Sequence, residues 1–131
     1  MKTIAIDTNI LLDFFLEREN YSQAKKLIEQ SVINEFNIYI PIPVLLEFAW
    51  TLKSYYKIEK TIIVDRLTAV LRLQNCKIPD KNRVIKALLL HKNTPQVSFV
   101  DCIIVLEAIA NKCTDLVTSD KKLTRLYKKI K

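Results

Sequence analysis

No glycine occurs anywhere in the 131 residues. Glycine-rich phosphate loops need residues without a Cβ at fixed places, so a Walker-type loop and a dinucleotide-binding fingerprint are both excluded. Backbone positions with a positive φ must be filled by other residues, and asparagine and aspartate are the expected substitutes. Histidine is almost as scarce. His91 stands alone, which argues against a histidine-built zinc site or a catalytic triad, and it is expected at the surface. The three cysteines, Cys76, Cys102 and Cys113, show neither a paired pattern nor metal-ligand spacing. An odd count of this kind reads as reduced thiols in a cytoplasmic protein. No apolar run has the length of a membrane span, since the best candidate, 97–110, is interrupted by Asp101 and Glu107. Asp7 and Asp13 likewise break the apolar core that a signal peptide would need.

What is present is a balanced globular composition. Half the residues are hydrophobic and 27% are charged, which fits one domain, 1–131, with a core of its own. The formal charge is +7 and the pI is near 9.4. The charge is uneven. Residues 1–20 set Lys2 and Arg18 against Asp7, Asp13, Glu17 and Glu19, whereas residues 112–131 carry seven Lys or Arg against Asp115 and Asp120. A basic surface with an acidic spot points to an anionic partner such as nucleic acid, although a lysine-rich surface also serves solubility alone.

Short apolar runs alternate with helical periodicity. Strands are expected at 2–6, 37–40, 76–79 (an edge strand) and 116–118. Helices are expected at 9–17, from a Ser22 cap to about Asn34, from Pro43 to about Tyr56, at 58–73, from an Asp80 cap to about His91, and from Ser98 to about Asn111, with a short basic helix after Asp120. Asn111 would take the place of the usual terminal glycine. Such alternation predicts βαβ units and an α/β sandwich, three layers deep, built on a short parallel sheet.

The functional crevice of a parallel sheet lies at the carboxyl ends of its strands. Asp7 follows the first expected strand and Asp120 the last. Glu47 lies about one turn into the helix after the second, and Asp101 in the first turn of its own helix. Topology thus assigns all four to one edge. Each has a plainer reading. Asp7 and Asp120 are in helix-capping positions, and Asp101 stands three residues after Ser98, the spacing of a capping box. Glu47 lies among Val44, Leu45, Leu46, Phe48, Ala49, Trp50 and Leu52, so its helix is expected to be largely buried, and a buried carboxylate needs a partner. Two carboxylates about 5 Å apart repel by roughly 3 kcal/mol at an effective dielectric of about 20. A gathered set of acids therefore calls for protonation or for a divalent cation, and all-oxygen ligands suit Mg²⁺ or Mn²⁺. Metal-activated water beside basic flanks describes phosphodiester hydrolysis.

The segments "IDTNILLDFF", "PVLLEFAWTLKSYY", "SFVDCIIVLEAIANK" and "LVTSDKKLTRL", in this order and spacing, resemble the PIN-domain family, specifically the VapC-type toxin ribonucleases of toxin–antitoxin pairs. The resemblance covers almost the whole chain. It implies a Rossmann-like sandwich, a Mg²⁺- or Mn²⁺-dependent RNA endonuclease, a homodimer, and a small antitoxin that blocks the site. The family's acids fall on Asp7, Glu47, Asp101 and Asp120. Thr8 and Thr118 fall on supporting hydroxyl positions, and Asn9 is expected to fix the turn after the first strand. Cys102 stands where the family usually has alanine, Asn111 replaces a common glycine, and the customary last strand is short (128–131) or missing.

On this reading Asp7 and Asp101 are the principal metal ligands, Glu47 and Asp120 complete the site, and Lys121, Lys122 and Arg125 contact phosphate. Asp13 and Glu17 are expected to face solvent and Tyr55 and Tyr56 to pack. The alternative is a non-catalytic RNA-binding or protein-interaction module on the same fold. An aspartyl-phosphate phosphatase is disfavoured because Asn9 occupies the place of its second acid.

Overall fold

The computed structural model describes residues 1–131, which form two compact units, 1–81 and 82–131. In the first, β1 (Thr3–Ala5) leads into α1 (Thr8–Phe15) and α2 (Tyr21–Val32). Then come β2 (Asn37–Tyr39), α3 (Ile42–Ser54), α4 (Lys60–Leu71) and β3 (Cys76–Lys77). The strands pair in parallel in the order β1-β2-β3, with Ile4 opposite Ile38 and Ile38 opposite Cys76. Each parallel neighbour requires a crossover, and a pair of helices supplies each one. β3 is an edge strand, as expected, and β1 forms the other edge.

Apolar periodicity decides which helix faces are covered. Leu11 and Leu12 of α1, Leu45, Phe48 and Leu52 of α3, and Leu67 and Val70 of α4 are buried, with Ile38 and Ile40 from the sheet. α1 packs on α2 and α3, and α3 packs on α4. Pro41 and Pro43 fit the start of α3 because the backbone nitrogens at the cap and in the first two helical positions have no intrahelical partner to lose. Contrary to expectation, α3 has an open side: Glu47 is exposed and Trp50 is 62% exposed. On α4, Ile62 is also exposed, and Ile63 and Val64 lie in the core. α2 begins after Asn20 rather than from a Ser22 cap.

The second unit contains α5 (Lys81–Asn93), α6 (Phe99–Ala110) and α7 (Lys121–Ile130), and no strand. Segment 116–118, expected to be the last strand, is irregular. Its polar groups are engaged locally: Leu116 N donates to Asp115 Oδ1 at 2.8 Å and Thr118 Oγ1 accepts from Asp120 N at 3.0 Å. Such short-range bonds compete with a ladder, and Val117 is left 92% exposed. Residues 128–130, a possible terminal strand, are the last turn of α7. That helix is held by Leu123, Leu126 and Tyr127, which are buried on one stripe, and by Tyr127 Oη donating to Cys113 O at 3.3 Å. His91 is not a free surface residue. It is half-buried, and its Nδ1 donates to Val97 O at 2.7 Å, clipping the turn between α5 and α6.

The missing glycines leave seven non-glycine residues at positive φ. Asn34, Asn75 and Asp80 follow expectation, and the Asn75 side-chain amide donates to Asn34 Oδ1 at 2.6 Å. Glu17, Lys57, Gln96 and Lys112 do not follow it. Asn111 caps α6 at φ −91, and it is Lys112 at φ 57 that turns the chain out of the helix. Asp80, at φ 51, lies outside the extended backbone of a usual capping residue.

Candidate active site

Parallel pairing puts the carboxyl ends of β1 and β2 at one edge of the sheet. Asp7 lies just beyond β1, and α3 starts just beyond β2. Asp7 is extended (φ −101, ψ −179), and its Oδ1 accepts from Ile10 N at 3.3 Å, so it caps α1. It remains exposed to solvent, and Thr8 behind it is buried. Glu47 lies on the open side of α3. The reason for expecting it to need a partner, burial of its charge, therefore falls away, because water solvates an exposed carboxylate.

Asn9, expected to fix the turn after β1, is tied to the segment that follows α1. Its Oδ1 accepts from Arg18 Nη2 at 3.4 Å. Arg18 also donates from Nη1 to Tyr56 Oη at 3.3 Å and from Nε to Asp13 Oδ1 at 2.9 Å. Asp13, expected at the surface, is only 5% exposed. Glu17, at φ 51, reverses the chain after α1 so that Arg18 N meets Asp13 O at 3.1 Å, and this brings the two side chains together. Burial works against the Arg18 charge, but the hydrogen bonds to Tyr56 and Asp13 more than offset it and hold the guanidinium above its ordinary pKa. The sequence contained one signal for this network, a charged residue inside the apolar run Leu11–Phe15.

In the second unit, Ser98 caps α6 and its Oγ accepts from Asp101 N at 3.0 Å. The Asp101 side chain is half-buried and Cys102 beside it is fully buried. Asp120 caps α7, with Oδ1 accepting from Lys122 N at 2.9 Å and Leu123 N at 3.4 Å. Thr118 supports it through the 3.0 Å bond to Asp120 N. No strand precedes Asp101 or Asp120 in this unit, so the sheet-edge reasoning does not place them. Lys121, Lys122 and Arg125 are exposed on α7.

The capping readings of Asp7 and Asp120 are thus realised, and each leaves a carboxylate exposed. None of Asp7, Glu47, Asp101 and Asp120 forms an ion pair with a lysine or arginine, in a chain with 21 such cations. Their oxygen donors have the hard character that Mg²⁺ and Mn²⁺ prefer. As a geometry the fit is incomplete, since no group of three or more His, Cys, Asp or Glu stands together to hold an ion. No helix is long and apolar enough to cross a membrane.

Compared with known families, residues 4–129 match the family described as the PIN domain. No curated protein and no solved structure matches.

Proposed function

The chain belongs to the PIN-domain family, whose members are in general nucleases and typically use divalent metal ions, and on that premise we propose that it is a Mg²⁺- or Mn²⁺-dependent endoribonuclease, the toxin of a toxin–antitoxin pair. The observation that carries this reading is the family match over residues 4–129, with Asp7, Glu47, Asp101 and Asp120 as the acids that the sequence resemblance assigns to the site. The family match spans the border between the two units, which supports treating 1–131 as one domain.

In this proposal Asp7 and Asp101 are the principal ligands and Glu47 and Asp120 complete the set. A divalent ion bound by these acids would supply a water of lowered pKa and would offset charge on the phosphate. Thr8 and Thr118 support the capping turns, Asn9 holds the start of α1 through Arg18, and Lys122 and Arg125, with Lys121 beside them, attract the polyanion. The partners are RNA, a second copy of the chain, and an antitoxin that places a basic side chain among the acids. The three free cysteines suit a reducing cytoplasm.

The test is cleavage of structured RNA with Mg²⁺ or Mn²⁺ by the purified protein beside Asp7→Asn. Asparagine caps helices as well as aspartate does, so this change removes the charge and keeps the cap. Equal cleavage by both proteins would trace the activity to a contaminant. The toxin role predicts that expression arrests growth and that a neighbouring reading frame encoding a short protein relieves the arrest. A second reading, a non-catalytic RNA-binding or protein-interaction module on the same fold, rests on the exposed cations of α7. It predicts RNA binding indifferent to EDTA and no turnover with either ion.

A further inference from the structure

The loop Thr94–Val97 and helix α7 enclose an open pocket of about 150 Å³, lined by Thr94, Pro95, Gln96, Val97, Lys122, Arg125, Leu126 and Lys129. All of it lies within the second unit. Val97 and Leu126 are buried and contribute an apolar part of its lining. The loop is held in place from behind by the His91 bond to Val97 O, and Gln96 takes φ 63 to make its turn. Lys122, Arg125 and Lys129 occupy positions i, i+3 and i+7 of α7, which is one helix face. Their side chains make no hydrogen bond or ion pair. Three like charges at this spacing repel one another, and none of them is ion-paired to an acid. They surround a space suited to a small anion with several oxygens.

We propose that this pocket binds a phosphate group of an RNA strand, with Arg125 as the two-pronged donor and Lys122 and Lys129 as flanking charges. The proposal rests on the nuclease reading for the identity of the polyanion. It assigns a role to Lys129 and the Thr94–Val97 loop that the sequence did not indicate. Being built from α7 and this loop alone, the pocket requires no bound metal, so it operates in EDTA.

The experiment measures anisotropy of a labelled single-stranded RNA of about eight nucleotides, in EDTA and at several salt concentrations. It compares the full chain, the double variant Lys122→Ala with Lys129→Ala, and a matched double variant, Lys86→Ala with Lys128→Ala. The matched pair removes the same charge from exposed lysines outside the pocket. The pocket variant should weaken binding about tenfold and lower the salt slope by about 1.4, two contacts at about 0.7 each. The matched variant should lose less than about threefold. Equal losses in the two variants, or no binding by the unaltered chain, overturn the pocket. So does displacement of the RNA by a polyglutamate peptide as effectively as by unlabelled RNA. Cleavage with Mg²⁺ is scored separately. Selective binding loss without any cleavage sinks the nuclease reading and leaves the pocket standing, while cleavage with equal binding losses does the reverse.

Discussion

Arg18 Nε lies 2.9 Å from Asp13 Oδ1, and the two partners are unequally covered: the Asp13 side chain is 6% exposed and that of Arg18 32%. Removing either one therefore has a different cost. Arg18→Ala strands a buried carboxylate and is expected to destabilise the chain by about 3–5 kcal/mol. Asp13→Ala leaves a guanidinium that water and Tyr56 still reach, at about 1–3 kcal/mol. Urea unfolding of both variants checks the order, and a larger loss for Asp13→Ala would show that the covered carboxylate does not depend on Arg18.

Asp7 is expected to separate stability from activity. Asp7→Asn should unfold within about 0.5 kcal/mol of the unaltered chain, because the amide oxygen still accepts from Ile10 N, whereas Asp7→Ala should lose about 1 kcal/mol with the cap. Both should lack RNA cleavage. Thermal unfolding and gel assays on the same preparations read the two effects.

Burial pushes the Cys76 thiol up from 9.0 to about 11, against a smaller opposing effect of Lys81. A pKa raised on folding favours the neutral thiol in the folded chain. Its contribution to stability is complete below pH 9.0 and is lost as pH rises to about 11. Between those values the unaltered chain should lose more stability than Cys76→Ala does. Parallel pH profiles of the two would refute the assignment. At pH 8, a thiol reagent should modify exposed Cys113 well before buried Cys76 and Cys102.

Two lysines are held in a conformation that suits glycine. Lys57 and Lys112 are exposed at φ 56 and 57, where a Cβ is crowded. Lys57→Gly and Lys112→Gly are each expected to stabilise the chain by about 0.5–1 kcal/mol, the relief of that crowding exceeding the entropy cost of glycine. A lowered melting temperature for both would mean that the lysine stems contribute packing worth more than the relief.

Local features were legible because their causes span only a few residues. The caps at Asp7, Ser98 and Asp120, the Pro43 helix start and the alternation of strand and helix all follow from groups within one turn of each other. Where the reading failed, a distant group decided the outcome. Whether 116–118 pairs as a strand depends on a neighbour strand offering a better set of hydrogen bonds than Asp115 and Asp120 do. Whether Glu47 is buried depends on what covers α3, and apolar neighbours along that helix were a poor guide to it.

By itself the sequence determined the α/β class, the PIN-domain membership, the lack of any glycine-built phosphate loop, and the four acids with their basic flank. Periodicity, capping chemistry and composition are properties of neighbouring residues. Only the tertiary structure decided that Arg18 joins Asp13, Tyr56 and Asn9, that Glu47 is open to water, and that Lys129 shares a pocket with Thr94 and Gln96. Those outcomes depend on which side chains meet after the chain has reversed at residues such as Glu17 and Gln96, and no short-range rule contains that information.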